Sequence, residues 1–404
     1  TALYRYATPH FYTVGDFPEE DQDLRPKSLY ASPWEGGWWR LRDAVDYMLT
    51  ASVSVLDVAA KYKADLLFNR YQAARDVAAQ YRAGPPYAFF VGQEQRDPVA
   101  AVEMLRRLAF NDIEVRRLTK AVTVEGVTHA AGTWVIPMDQ PNANFVRQLF
   151  AVQKYPDLRE YPEGPPEQPY DVSGWTLPYQ FDVRVVEAHS PLGADVTAAL
   201  ADVRAEPLAW NATGDAALFD SPPDVGFDTH PVARAITPPE GRVRGGGSAL
   251  LLDPAQNNSY RALTRAWAQG AQVSFAPGRA GTEEGAAGTS GSWLVAGLSG
   301  SAQQALVRNL NLQAAAGSMP AGRVAQPRVG LYHPWSASMD EGWTQWVLEM
   351  YGVAHTSLHN ADILAGLGSA GATYLESTLT GGERVGISPW SQTLLAVVER
   401  MRPL

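Results

Sequence analysis

The chain has 404 residues, no cysteine, and 33 Lys and Arg against 43 Asp and Glu, for a formal net charge of −10. The lack of cysteine excludes disulfides, thiolate metal sites and cysteine nucleophiles. The acidic balance argues against nucleic-acid binding, which depends on clustered Lys and Arg, and no apolar run is long enough to predict a membrane span.

The first 84 residues predict an irregular aromatic segment followed by long helices. Apolar residues recur every three or four positions from Trp38 to about Ala83, which is a helical period. Gly84, Pro85 and Pro86 then end the helix. Because the chain opens with aromatic residues as if inside a domain, we expect it to be a piece of a longer protein.

The next segment alternates predicted strands and helices. A strand at 87–91 precedes Asp97, a good N-cap residue, and a helix at 99–108. A second strand is predicted at 113–118, a turn at Gly126, and a helix at 142–152. A proline-rich connector at 155–179 closes this small α/β domain.

The same alternation continues to about residue 358. Predicted units are strand 249–252 with helix 259–268, strand 293–296 with helix 303–312, and strand 329–332 with helix 339–351 and strand 353–358. Alternation of this kind is typical of parallel sheets. The predicted fold is therefore α/β, with several small βαβ-type modules, mostly parallel sheets and a preceding helical segment. We place the domains at 1–84, 85–180, 181–326 and 327–404.

Few residues suggest nucleophilic or metal chemistry. Ser290 and Ser299 lie in Gly/Ser-rich stretches but lack the spacing of a nucleophile elbow, which favours loops. On a helix, His355, His359 and Asp362 would share one face, but the sequence predicts a strand at 353–358. Four strand residues span about 13 Å, too far for two ligands of one ion. These three residues are therefore only weak metal candidates.

A ligand site is a stronger candidate where the strand at 329–332 meets its helix. Ligands of doubly wound sheets bind at such carboxyl strand ends. His333, Trp335, Asp340 and Glu341 would face that crevice. The alternative is structural, with the two acids favouring the helix amino terminus.

Several long motifs resemble the downstream part of large bacterial zinc carboxypeptidases, of the carboxypeptidase A-like family, and the similarity covers most of residues 1–363. They are 36–48 (GGWWRLRDAVDYM), 94–100 (EQRDPVA), 132–138 (GTWVIPM), 155–159 (YPDLR) and 338–343 (SMDEGW). From about Val329 the chain resembles the start of the glutamine amidotransferase-like domain that ends such proteins. Beyond Asp362 the resemblance fades.

The resemblance implies zinc chemistry upstream of this chain. In that family one zinc is bound through H-x-x-E and a distal His, and a glutamate is the general base. No histidine here has a glutamate three residues on, and an amidotransferase would need a cysteine. The resemblance therefore implies no catalytic residue and no cofactor bound by this chain.

The sequence favours two functions over a third, an independent hydrolase with a carboxylate pair, because no two acidic residues can be placed together from sequence. The first is the non-catalytic C-terminal part of a secreted or periplasmic zinc metallocarboxypeptidase, whose partner is the upstream catalytic domain of the same polypeptide and which meets peptide substrate only indirectly. The second is a stand-alone α/β module that binds a ligand or a glycan.

Overall fold

The chain divides into two compact units, Thr1–Asp76 and Val77–Leu404. The computed structural model describes residues 8–28, 30–152, 154, 156–159, 161–167, 174, 176–207, 226–277, 291–318, 322–327, 329–333, 335 and 338–364. The tail at 365–404, most of the predicted loop at 277–292 and parts of the proline-rich connector therefore lie outside the described residues.

The first unit consists of a short antiparallel ribbon and a long helical segment. Its strands are β1 (His10–Tyr12) and β2 (Gly37–Trp39), and its helices are α1 (Leu41–Lys61) and the start of α2 (Lys63–Ala83). The predicted helical segment is confirmed, but it begins at Leu41 because Trp38 and Trp39 belong to β2. Asp43, three residues into the helix, accepts a hydrogen bond from the Arg40 amide at 2.7 Å.

The second unit contains two five-stranded sheets. The strands of the first, in chain order, are β3 (Ala88–Val91), β4 (Arg116–Leu118), β7 (Trp134–Pro137), β8 (Val185–Ala188) and β9 (Leu200–Asp202), with a separate hairpin of β5 (Val122–Val124) and β6 (Val127–His129). Its spatial order is β8-β3-β7-β4-β9, and every neighbouring pair is antiparallel. The sheet thus includes strands from both sides of residue 180.

Helices pack on this sheet or connect its strands. They are α3 (Pro98–Phe110), α4 (Ala143–Phe150), α5 (Leu177–Gln180) and α6 (Ala194–Thr197). The core between sheet and helices contains Phe89, Leu105 and Ile136. Arg106 of α3 is also buried, where its guanidinium pairs with the Asp228 carboxylate at 2.5 Å.

The second sheet has the spatial order β10-β14-β11-β13-β12. Its elements, in chain order with a preceding short helix, are α7 (Pro231–Ala235), β10 (Arg242–Arg244), β11 (Ala249–Leu252), α8 (Asn257–Ala268), β12 (Gln272–Ala276), β13 (Ser292–Ala296), α9 (Gly300–Asn309) and β14 (Gln313–Gly317). Only β10 and β14 are parallel neighbours; the other pairs are antiparallel. Ser299, at the N-cap of α9, accepts a hydrogen bond from the Ala302 amide, which is a structural role.

The prediction of mostly parallel sheets is wrong, although the fold is mixed α/β. The predicted crossovers exist, since β3 and β4 run in the same direction on either side of α3. However, β7 lies between them and is antiparallel to both. Likewise β13 separates β11 from β12, and β11 separates β13 from β14. Each crossover pair is therefore split by a strand from elsewhere in the chain.

Further along the chain, one pair of parallel strands lies side by side with no other strand between them. It consists of β15 (Val329–Tyr332) and β16 (His355–Leu358), connected by α10 (Met339–Met350) and followed by α11 (Asn360–Leu364). This is the βαβ unit predicted from the sequence. Arg261 and Thr264 of α8 donate hydrogen bonds to the carbonyl oxygens of Met350 and Tyr351, which anchors the carboxyl end of α10.

In the second unit, the Asp97 carboxylate connects the helices α3 and α8. Its Oδ1 accepts hydrogen bonds from the Val99 and Ala100 amides at the start of α3, at 3.0 and 3.2 Å. Its Oδ2 accepts one from the Asn257 amide, the first residue of α8, at 2.8 Å. Gln256, at the N-cap position of α8, makes no side-chain cap of its own. Asp97 therefore caps two helices at once.

Among the residues that the structure describes, no helix combines the length and apolar character that crossing a membrane requires.

Candidate functional site

The candidate site lies at the carboxyl ends of the parallel strands β15 and β16. His333 directly follows β15, and His359 directly follows β16. Tyr332 pairs with Leu358, so the two histidines are the next residues in register. The His333 amide continues the ladder by donating to the Leu358 carbonyl oxygen at 2.8 Å. The register thus places two imidazoles side by side.

The two imidazole rings are in edge contact. Their centroids are 5.1 Å apart and their planes are inclined by 77°. The His333 side chain is 44% exposed, and His359 is exposed. Both rings are therefore accessible from solvent, while the His333 backbone is held by the strand pair.

A buried carboxylate lies behind His333. Glu341 is in the first turn of α10, where its amide donates to the capping Ser338 hydroxyl. Glu341 is 3% exposed, and its Oε2 lies 3.0 Å from His333 Nδ1. Its Oε1 is buried and has no hydrogen-bond partner among the described residues. Glu341 therefore contacts the Nδ1 side of the His333 ring, and the Nε2 side faces away from this carboxylate.

The predicted ligand residues have different surroundings. His333 and Glu341 are brought together, whereas Trp335 is 95% exposed and Asp340 is exposed in the first turn of α10. Neither Trp335 nor Asp340 shares the buried environment of Glu341. The contact at the strand end is therefore formed by two of the four candidates, and a ligand role for all four stays a prediction.

The weak metal candidates are not arranged as one ligand set. His355 lies in β16, as the strand interpretation predicts, and its Nδ1 is 3.4 Å from the Val353 carbonyl oxygen. The Asp362 carboxylate accepts the His359 amide proton at 2.8 Å and so is engaged with the backbone. In the described part of the chain, no three His, Asp or Glu side chains group in a way that could hold a metal ion.

Sequence reasoning missed the pairing of His333 with His359. It considered His359 with residues along its own strand, whereas the partner is across the strand pair. A signal was present, since each histidine is the first residue after its predicted parallel strand. Aligning the strand ends would have found the pair.

A second buried imidazole lies elsewhere. His129, at the end of β6, is 7% exposed and stacks on Phe90 with ring centroids 4.2 Å apart. Its Nε2 has no hydrogen-bond partner among the described residues. Burial lowers the pKa of His129. We interpret this buried, stacked ring as a packing element.

Comparison with protein-family models, with curated proteins and with solved structures gives no match for this chain.

Proposed function

We propose that this chain is the non-catalytic C-terminal part of a secreted or periplasmic zinc metallocarboxypeptidase. The parent reaction is zinc-dependent hydrolysis of peptide bonds, and the chain supports or gates the catalytic domain that performs it. The proposal rests on the five motifs that resemble this family and on one structural observation, the exposed apolar face of α1.

This face has the character of a packing surface. Helix α1 is amphipathic: at 3.6 residues per turn most of its larger apolar residues fall opposite its charged residues, although Val53 lies between Arg42 and Asp46. The apolar face consists of Leu41, Val45, Met48, Val55 and Leu56. All five are exposed, and no residue of α1 is buried. A contiguous apolar surface of this kind indicates an interaction site.

The opposite face of α1 is polar and exposed to solvent. Arg42 pairs with Asp46 at 3.4 Å, and Lys61 pairs with Asp57 at 2.6 Å, each one turn apart. Because the helix already has a solvated side, its apolar side is the one that requires a partner. The family resemblance supports the upstream catalytic domain as that partner, because the Trp38 segment resembles the last helix of the catalytic domain.

The test compares peptidase activity and stability in two polypeptides. One is this chain, and the other carries a zinc carboxypeptidase catalytic domain ahead of it. We expect release of C-terminal amino acids from peptides, abolished by a chelator, only with the longer polypeptide. Chelator-sensitive carboxypeptidase activity in this chain alone would refute the proposal.

Variants of α1 sharpen the test. In the longer polypeptide, Met48→Asp places a charge in the proposed interface and should destabilise by about 2 kcal/mol or more. In this chain the same change is on an exposed face and should stay within about 0.5 kcal/mol. Thr50→Asp, on the polar face, is the matched control in both. Equal effects of Met48→Asp in the two polypeptides would contradict the assigned partner.

A stand-alone binding module is the second candidate. Exposed aromatic side chains favour it, since Trp335 is 95% exposed and Trp343 of α10 is 65% exposed. Such rings are suitable platforms for sugar faces. Retention on immobilised polysaccharides that Trp335→Ala abolishes would support this function. Equal retention of the variant would exclude Trp335 as the platform.

A further inference from the structure

We infer that His333 and His359 form a binding site for a divalent transition-metal ion of the class that prefers imidazole, with Glu341 as a positioning residue. The inference does not depend on the proposed function, because it concerns only this chain. It departs from the sequence-based expectation that the chain binds no metal ion, because that expectation considered histidines along one strand.

The spacing of the rings fits two ligands of one ion. A Zn–N bond of about 2.0–2.1 Å puts each ring centre about 3.2 Å from the metal. At a near-tetrahedral angle, two such rings have centres about 5 Å apart. The observed separation of the His333 and His359 ring centroids is 5.1 Å. The folded chain already has this separation, and the register of β15 on β16 places the two residues side by side.

Glu341 supplies the second observation that points to a cation. Its Oε2 lies 3.0 Å from His333 Nδ1, the arrangement in which a carboxylate orients a metal-binding imidazole. Nδ1 is thereby occupied, which leaves Nε2 as the ligand atom of His333. The other oxygen, Oε1, is buried without a partner among the described residues. An uncompensated buried carboxylate oxygen is costly, and a cation held one imidazole away offsets that cost.

Charge and ligand type select the class of ion. The Glu341 carboxylate lies beside His333 and the Asp362 carboxylate accepts the His359 amide proton, so an anion at the pair would meet two carboxylates. Imidazole nitrogen suits Zn²⁺, Co²⁺, Ni²⁺ and Cu²⁺, whereas Mg²⁺ and Ca²⁺ prefer oxygen ligands. Since no third side chain joins the pair among the described residues, water completes the coordination. The site is therefore open on its solvent side.

The experiment titrates the full chain with ZnCl₂ by calorimetry and with CoCl₂ by visible absorption. We expect one zinc per chain and a cobalt d–d band in the wild type. His333→Ala and His359→Ala should each weaken zinc binding at least about 10-fold and remove the band. His355→Ala is the matched control, because it removes an imidazole from the same strand and should leave both signals unchanged.

Glu341→Gln tests the positioning role. It keeps a hydrogen-bonding oxygen at the same place but removes the charge, and should weaken zinc binding about 10- to 100-fold. The cobalt band should remain at saturation, because both imidazoles are still present. A variant that had lost the local fold would lose the band, and a far-UV spectrum of each protein identifies that case.

Three results would overturn the inference. They are no binding by the wild type, binding unchanged in the His333→Ala/His359→Ala double variant, or equal loss in His355→Ala. Zinc binding without peptide hydrolysis supports the site and leaves the proposed function standing. Zinc-dependent hydrolysis that survives the double variant would refute both.

Discussion

Replacing Asp97 by alanine should destabilise the protein more than the loss of an ordinary helix cap. The carboxylate is 2% exposed and accepts three backbone amides, two from α3 and one from α8. Loss of the α3 cap costs about 1 kcal/mol. The Asn257 amide, left without its acceptor in a half-buried place, adds about 1–3 kcal/mol. The expected total is about 2–4 kcal/mol.

Burial also raises the pKa of Asp97, so its ionised form is itself costly in the folded state. Removing the carboxylate recovers part of that cost, which favours the lower half of the range. For a carboxyl group whose pKa is raised on folding, stability is greatest below the unfolded pKa and falls as pH rises through the folded pKa. The Asp97→Ala variant should therefore lose less stability near neutral pH than in mild acid.

The assay is urea unfolding followed by far-UV circular dichroism. Ser299→Ala is the matched control, since Ser299 caps only α9 and should cost about 1 kcal/mol. Asp97→Asn retains one acceptor oxygen and should fall between wild type and Asp97→Ala. If Asp97→Ala lowered the free energy of unfolding no more than Ser299→Ala, capping of the second helix by Asp97 would contribute no stability. That result would contradict the prediction.

Three further predictions concern the second unit, each checked by urea unfolding. Arg106→Met should cost about 2–4 kcal/mol, because it leaves the partly buried Asp228 carboxylate without its cation; a cost under about 1 kcal/mol would contradict this. Burial lowers the pKa of His129, so wild-type stability should fall as pH drops below the ordinary value of 6.5, and His129→Phe should reduce that slope. An unchanged slope of stability against pH would show that other groups cause the pH dependence. Gly241→Ala would put a Cβ atom 2.0 Å from a backbone carbonyl oxygen and should be severely destabilising, whereas Gly300→Ala, with open space around it, should stay within about 1 kcal/mol of wild type.

The sequence was informative about which strands run in the same direction. Strand–helix–strand alternation predicts a crossover, and β3 and β4 are indeed parallel across α3. What alternation does not encode is adjacency, since nothing in either strand specifies that β7 inserts between them. Strand order depends on long-range packing of apolar faces, and the fully apolar strand β7 is suitable for any central position.

The capping of α3 likewise has one part that the local sequence predicts and one part that depends on a long-range contact. Asp97 followed by Pro98 predicts the start of this helix, and the structure confirms it. The second helix that Asp97 caps begins 160 residues later, at Asn257, and no local pattern connects the two. For the candidate site, the strand ends were predicted, and the contact between His333 and Glu341 follows from them. The partner His359 required the register of β15 on β16 as well.

The strand order of the first sheet has a consequence for synthesis of the chain. All four residues of β3 are buried, yet its two neighbours come late, with β7 starting at Trp134 and β8 ending at Ala188. At a translation rate of about 5–20 residues per second, the 188 − 88 = 100 residues from the start of β3 to the end of β8 take about 5–20 s. During that interval β3 has at least one open edge. The nascent chain therefore carries an apolar strand with an unpaired edge until Ala188 has emerged, and the yield of folded protein should respond to ribosome-associated chaperones.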